Sequence, residues 1–562
     1  MSAEIEAKKK ELIGFFLEKG LLLSPEILEH IESLDSIKDV EHAVETIKAN
    51  QETTTENKEL FVNKEVFLNS LNSIEKNQKP HLSHPHPNSE EPNKIKENSK
   101  EDHKEDPEAD PKEDPKKNLE ADPNKDPEAE PNTDLNKEPN KNASVNVVFS
   151  YSESPKKREI QDFTKLFNIR YERLKNILMN RKELQDAISI SRAKTKPQKD
   201  PATIIAMVYT KQETKNGNII FEVEDPSGRI KVLASKNNSE ILKFASSMVQ
   251  EDVVGISGVL GQDIIFANEI TLPDVPLNKE LKKCPEEAFA VFISDIHVGS
   301  DCFLPEEFDR FIKWIRQEAG NDQQKEIAKK VKYIFVVGDV VDGVGIYPGQ
   351  QSELTIQDIK SQYDEVARLL KQIPQDISII ISPGNHDALR IAEPQPLLDK
   401  KYAEQLWGMP NVIMVTNPSM VNINAVEGFS GFDVLLYHGY SFDWYVANVD
   451  SIRNSGGYDR ADLIMRFMLQ RRHLAPAYTS TLYVPDIRDD YLVINKIPDI
   501  FVTGHIHKCA VSHYKNITTI SGSCWQSTTP FQEKVGHNPE PGRVPLVNLK
   551  TREVKIMKFT TD

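Results

Sequence analysis

Beyond residue 285 the apolar positions gather into short, nearly unbroken runs: "AFAVFISDIHVGS", "VKYIFVVGDVVDG", "DISIIISPGNHDA", "FDVLLYHGYSFDW" and "IPDIFVTGHIHK". Stretches this apolar, separated by helical patterns, predict strands buried on both faces of an α/β arrangement. Residues 201–275 read differently. "TIIAMVYT", "NIIFEVED", "GRIKVLAS", "EDVVGISGVLG" and "DIIFANEITL" are five shorter strand patterns, with turns at Asn216-Gly217 and Pro226-Ser227-Gly228. One helical stretch, "NNSEILKFASSMV", falls between the third and fourth. That order predicts an OB-type β-barrel over 201–280.

The first 75 residues carry apolar positions at helical spacing, broken at Gly20 and restarted at Ser24-Pro25, and predict a small helical module. Residues 76–143, with "KEDPEADPKEDPKKNLEADPNKDPEAEPN" at their centre, lack the apolar side chains that offset ordering entropy; proline there blocks helix and ladder alike. They predict a disordered acidic linker. Residues 144–200 open with a short extended run and continue as a basic amphipathic helical segment from Ile160 to about Ile188. Its basic residues suit either phosphate contact or a solvated face.

Composition narrows the class. Of 562 residues, 38% are hydrophobic and 28% charged, as in a soluble protein of several domains. No apolar stretch approaches the about 20 residues that cross a bilayer. The N-terminus has no secretory pattern, and Cys284, Cys302, Cys509 and Cys524 form no CxxC pair; a cytoplasmic location with reduced thiols is expected. The net charge of −17 is unfavourable for an autonomous nucleic-acid binder. More than half of it is local, because Glu97–Glu138 holds 16 acidic against 7 basic residues.

Candidate chemistry sits at the C-terminal ends of the five apolar runs. They finish in Asp295 and His297; in Gly338, Asp339 and Asp342; in Gly384, Asn385, His386 and Asp387; in His438; and in Gly504, His505 and His507. Ligand sites of α/β sheets form beyond such strand ends. Four imidazoles, two carboxylates and one amide oxygen make a mixed nitrogen and oxygen donor set suited to Mn²⁺, Fe or Zn²⁺. Seven ligands exceed the needs of one ion, and a shared Asp339 fits two ions about 3.5–4 Å apart, the arrangement of phosphoester hydrolysis.

These motifs, in this order, resemble the calcineurin-like phosphoesterase superfamily: a β-sandwich flanked by helices, expected over 285–562. Taken with the OB-like region and the stretches "GDVVDGVGIYPGQ", "HGYSFDW" and "RRHLAPAY", the chain from about residue 145 to its end resembles the small subunits of archaeal family-D DNA polymerases. The resemblance implies a 3′–5′ exonuclease that proofreads for a separate large polymerase subunit and also scaffolds it. Its substrate would be single-stranded or primer-terminus DNA, and a sliding clamp or another replication factor is a further candidate partner; no membrane is implied. It implies that Asp295, His297, Asp339 and His507 hold one divalent ion, and Asp339, Asn385, His438 and His505 another, with Mn²⁺ expected and Mg²⁺, Fe or Zn²⁺ open. His386 is expected at the scissile phosphate, and Asp387 behind its ring or capping the next element.

Two alternatives stay open on the same fold. Ser/Thr phosphatases follow Gly-Asp-x-x-Asp with Arg-Gly and carry Gly-Asn-His-Glu. Here Gly343 directly follows Asp342, and Asp387 stands in place of the glutamate, so the bidentate clamp for a phosphomonoester is missing. A non-catalytic assembly subunit would show broken ligand positions, and none is broken. The insertion from Ser441 to Asp499 carries Arg466, Arg471, Arg472 and His473. It is expected to guide a strand end, to meet the large subunit, or to elaborate the core.

Overall fold

The computed structural model describes residues 144–152, 157–486, 488–535 and 537–561, together with two short strands, Leu21–Leu23 (β1) and Leu60–Val62 (β2), which pair in parallel. Both fall between the helices expected over residues 1–75; those helices and the linker over 76–143 lie outside the described residues.

The second compact unit begins with Val145–Ser150 (β3), followed by the 20-residue helix Ile160–Met179 (α1). Five strands follow: Pro201–Glu213 (β4), Ile219–Asp225 (β5), Gly228–Ala234 (β6), Val253–Leu260 (β7) and Ile264–Thr271 (β8). They close into a barrel in the order β4-β5-β6-β8-β7, with the helix Ser239–Ser246 (α2) between third and fourth strand. Alternation sets its interior. Ile204, Ala206 and Val208 of β4 and Phe221 and Val223 of β5 point inward and are buried. Of the barrel's three strand aromatics, Phe221 is core, whereas Tyr209 and Phe266 are 42% and 46% exposed. Tyr209 lies under the Arg229 guanidinium, 3.6 Å from its ring centroid, so it offers no free stacking face on that side.

The remainder is a sandwich of two six-stranded sheets. One runs Val412–Met414 (β12), Ser378–Ser382 (β11), Val331–Val337 (β10), Phe289–Ile293 (β9), Arg543–Asn548 (β18) and Val554–Lys558 (β19). The other runs Ala510–Tyr514 (β16), Ile517–Ser521 (β17), Ile500–Thr503 (β15), Phe432–Leu436 (β14), Ser419–Ile423 (β13) and β3. Phe292, Phe335, Val434, Leu436, Val502 and Ile520 pack between them. The outer face of the first sheet is covered by Pro305–Ile315 (α3) and Ile359–Leu370 (α4), and that of the second by Phe442–Asn448 (α5) and Ala461–Arg471 (α6). All five predicted apolar strands are present, as β9, β10, β11, β14 and β15. The extended run before α1 is an edge strand of the second sheet, paired antiparallel with β13: the sandwich takes a strand from ahead of the barrel.

Several basic residues of α1 and of the insertion are buried inside the protein, whereas Arg173 and Arg466 stay exposed. Arg170 is buried and its Nε donates to Asp490 Oδ2 at 2.6 Å, while His473 Nε2 lies 3.1 Å from the same oxygen. Arg471 pairs with buried Asp252 at 3.0 Å, Arg472 donates to the carbonyls of Ile494 and Asn495, and Arg466 lies over the Tyr514 ring. Arg471 and Arg466 thus tie the insertion to the barrel and the sheet, and Arg472 and His473 hold the insertion's own segments together. Burial alone would neutralise Asp490, but Arg170 and then His473 hold its carboxyl far below the usual range. Breaking one partner of such a pair leaves the other buried and uncompensated. Asp490→Asn is accordingly expected to lower the stability of this unit by about 3–5 kcal/mol, read as a shift in the urea unfolding midpoint at unchanged slope.

Candidate metal centre

Each ligand position is reached by a chain that stops being a strand abruptly. Asp295, His297, Asp339, His505 and His507 all adopt left-handed backbone conformations, with φ of 53°, 54°, 50°, 73° and 55°. Non-glycine residues enter this region at a cost. The turn after each strand folds the side chain back over the sheet edge, which extended backbone would not do. Two glycines make the room. A Cβ on Gly338 would stand 2.1 Å from His438 Nδ1, and one on Gly504 would stand 2.5 Å from Asp295 Oδ2.

The seven predicted ligands converge. Asn385 Oδ1 lies 3.0 Å from both His438 Nε2 and His505 Nδ1, and His438 Nε2 lies 3.2 Å from Asp339 Oδ2. On the other side His297 Nε2 is 3.1 Å from His507 Nε2 and 3.9 Å from the same Asp339 Oδ2, and His507 Nε2 is 3.5 Å from Asp295 Oδ1. Ligands at right angles on one ion, each about 2.1 Å from it, stand about 3 Å apart. The spacings therefore suit two neighbouring cations, with one oxygen of Asp339 facing both. Among the described residues, Asp295, His297 and His507, and also Asp295, Asp339 and His438, bring ligand atoms within 4.8 Å of one another. No thiol joins either group. The donor set fits borderline or hard divalent ions.

Electrostatics agree with that fit. Burial disfavours a charged imidazole at His438, yet the carboxylates of Asp339 and Asp295 outweigh it and push its pKa up to about 10. Burial also opposes charge on Asp339, and His438, His386 and His297 nonetheless hold its carboxyl well below the usual range. The buried carboxylates favour positive charge at His438, which is the part cations would take over.

Further partners orient the rings. His438 Nδ1 donates to the Val337 carbonyl at 3.0 Å, which leaves Nε2 for an ion. His297 Nδ1 meets Asp342 Oδ1 at 3.1 Å, His505 Nε2 meets Asp443 Oδ2 at 3.1 Å, and His507 Nδ1 lies 3.0 Å from Gln532 Nε2. Asp443 and Gln532 escaped the sequence reading: they lie 62 and 25 residues from the rings they support, and no local pattern announces them. Such partners usually tune affinity by about 10–100-fold. Asp443→Asn should weaken Mn²⁺ binding by about that factor, measured by calorimetric titration.

His386 is in neither ligand group, although its ring packs edge-on against that of His297 with centroids 4.7 Å apart. Its Nδ1 lies 2.8 Å from the Asp342 carbonyl, and its backbone N–H donates to Asp339 Oδ1 at 2.8 Å. His297, Asp342 and His386 form a third cluster, but hydrogen bonds already engage the facing Nδ1 atoms. Because a carbonyl can only accept, Nδ1 carries the proton and Nε2 is the exchangeable nitrogen. The expected support from Asp387 is corrected. Its carboxylate accepts from Gly384 N–H at 2.8 Å and from Tyr363 O–H at 3.1 Å, and the Asp342 carbonyl has the place behind the His386 ring. Consecutive side chains in this turn diverge, so Asp387 braces the turn instead. Burial, then the charge of Asp339, raises its pKa to about 7.

Comparison with known proteins bears on both halves of the chain. A calcineurin-like phosphoesterase profile matches residues 290–509, and an OB-fold nucleic-acid-binding profile matches residues 202–273. A DNA polymerase II small subunit of Methanothermobacter thermautotrophicus is 40% identical over 403 residues, 72% of this chain and 80% of that protein. The corresponding proteins of Archaeoglobus fulgidus and Pyrococcus furiosus are 37% and 36% identical; the matches span 68% and 71% of this chain and 74% and 64% of theirs. Among the described residues, no helix is long and apolar enough to cross a membrane.

Proposed function

The chain belongs to the family of DNA polymerase II small subunits, and from that premise we propose that it is the 3′–5′ exodeoxyribonuclease of a heteromeric replicative polymerase, proofreading for a large catalytic subunit that it also scaffolds. The observation that carries the reading is the position of Asp339 Oδ2, which faces His438 on one side and His297 on the other at 3.2 and 3.9 Å.

Asp295, His297, Asp339 and His507 would hold one divalent ion, and Asp339, Asn385, His438 and His505 a second, with Mn²⁺ the expected metal. When bound, such a pair supplies Lewis acidity: it makes an attacking oxygen nucleophilic near neutral pH and offsets charge gathering on the phosphate. The chain does the rest. The left-handed turns and the hydrogen bonds behind each ring fix the donors before substrate arrives, so little reorganisation is left for the reaction. His386, held at Nδ1, presents Nε2, which in the doubly protonated ring would hand its proton to the departing 3′ oxygen or donate to a non-bridging oxygen. Gly343 leaves no arginine fork for a dianionic monoester, which favours a diester. The 3′–5′ direction rests on the family alone.

The test is a time course on 3′- and 5′-labelled single-stranded DNA with Mn²⁺, with paired and mismatched termini, beside a phosphopeptide control. Stepwise loss from the 3′ end, faster at a mismatch, is expected. Release from the 5′ end, or turnover of the phosphopeptide alone, would overturn the assignment. An assembly role without catalysis predicts no product at any metal concentration.

A further inference from the structure

Beside the metal centre lies a cleft of about 690 Å³, lined by Tyr440, Asp443, Trp444, Tyr478, Leu482 and Tyr483, with Thr479, Ser480, Thr481 and Ala392 between them. Two stretches that the metal ligands leave largely unexplained, "HGYSFDW" and "RRHLAPAY", contribute to it, and residues 479–483 with Ala392 complete it. The first supplies Tyr440, Asp443 and Trp444, and the second ends in Tyr478. Three structural pieces meet here. Tyr478 stacks parallel to Tyr483 at 6.1 Å, and Phe163 and Phe167 of α1 close on it at 5.8 and 6.1 Å. Its backbone N–H donates to Glu251, in the turn before β7 of the barrel, at 2.8 Å. The Trp444 indole is pinned by donation to Thr479 Oγ1 at 3.0 Å.

The cleft is continuous with the ligand shell. Asp443 lines it and also meets Nε2 of the ligand His505, and the Tyr440 ring stands edge-on to His505 with centroids 5.9 Å apart. A strand whose phosphate lay at the metal centre would carry its neighbouring nucleoside toward this cleft through the shared Asp443 and Tyr440. The walls suit bases and not phosphates: four aromatic rings and an exposed leucine, hydroxyls for polar edges, one carboxylate and no lysine or arginine. The volume falls in the usual range for sites that take small planar ligands, about 300–1,000 Å³. A fixed aromatic wall recognises any base by stacking, provided that base is unpaired.

We propose that this cleft receives the unpaired terminal bases of a DNA strand, with Tyr478 and Trp444 as the stacking residues that position a frayed end for hydrolysis. The proposal rests on the nuclease reading and gives it a source of mismatch preference: a paired terminus keeps its bases stacked in the duplex and cannot fill the cleft without melting. Tyr478 and Trp444 are positioning residues, and the barrel and α1 serve here to hold Tyr478 rather than to bind DNA themselves.

The experiment uses the full chain in EDTA with a single-stranded oligonucleotide carrying 2-aminopurine at its 3′ end or at an internal position. Quenching of the terminal probe and not the internal one is expected. Tyr478→Ala, at a site 47% exposed, and Trp444→Leu, which keeps apolar volume, should each remove the quenching and weaken binding about tenfold. Tyr478→Phe should behave as wild type. With Mn²⁺ the same two variants should raise KM for single-stranded DNA and narrow the preference for mismatched over paired ends. Equal quenching at both probe positions, or variants that bind as tightly as wild type, would overturn the proposal. So would loss of a co-purified large subunit in the variants with DNA binding intact, which would make the cleft a protein contact. A wild-type chain that quenches the terminal probe but hydrolyses no DNA under Mn²⁺ defeats the nuclease reading alone; hydrolysis that the variants leave untouched defeats the stacking proposal alone.

Discussion

Asp339→Ala should abolish DNA hydrolysis, with kcat falling by about a thousandfold or more, the scale on which removing a principal electrostatic contributor acts. The reason is geometric. Among the described residues, Asp339 Oδ2 is the carboxylate oxygen that reaches both His438 and His297, at 3.2 and 3.9 Å, and Oδ1 of the same group accepts the His386 N–H. One substitution thus removes the link between two ligand groups and loosens the turn that carries His386. Metal analysis should show fewer than two ions per chain at Mn²⁺ levels that saturate wild type. The fold should persist, because His438, whose pKa the Asp339 carboxylate raises, can turn neutral when that carboxylate is removed. A variant that still binds two ions and still hydrolyses DNA would show that Asp339 is not shared.

His386→Ala should separate chemistry from metal binding. The ring belongs to neither ligand group, although it packs edge-on against the His297 ring with centroids 4.7 Å apart; its Nδ1 is engaged by the Asp342 carbonyl, which leaves Nε2 to exchange a proton. Removal of a group that moves a proton, or donates to charge in the transition state, costs about 10²–10⁴ in rate. The expected profile is a kcat loss of that size, a nearly unchanged KM and two ions retained. Replacing the 3′ leaving alcohol with a more acidic phenol, as in a nitrophenyl diester, should recover much of the lost rate if His386 is the leaving-group acid. Empty metal sites in this variant would instead place His386 among the ligands and overturn the division of roles.

The site was far more legible than its surroundings. The five strand ends announced themselves because an apolar, β-branched run that halts at Asp, His or Asn leaves a polar group where buried sheet should continue. Asp295, His297, Asp339, Asn385, His438, His505 and His507 were readable for that reason, and they meet in one cluster. The left-handed backbone at five of them was foreshadowed only by Gly338 and Gly504, which sit one residue ahead of Asp339 and His505. The supports were not legible. Asp443 and Gln532 touch the rings through tertiary folding, and their local sequence is ordinary. The adjacent Asp387 invited the wrong pairing, because proximity in sequence is a poor guide where a tight turn sends neighbouring side chains apart. In the insertion the sequence left three roles open, and Arg471, Arg472 and His473 fall on the core-elaborating one, as buried ties to Asp252, backbone carbonyls and Asp490. The edge strand β3 was visible as an extended run, but nothing in its sequence placed it beside β13, some 270 residues away.

The central claim is that seven side chains cage a pair of cations around one shared carboxylate. Anomalous diffraction from crystals soaked in Mn²⁺ tests it directly. Two peaks about 3.5–4 Å apart are predicted, one among Asp295, His297 and His507, the other among Asn385, His438 and His505, with Asp339 between them. A single peak, or manganese bound elsewhere while these groups keep their present hydrogen bonds, would contradict the account.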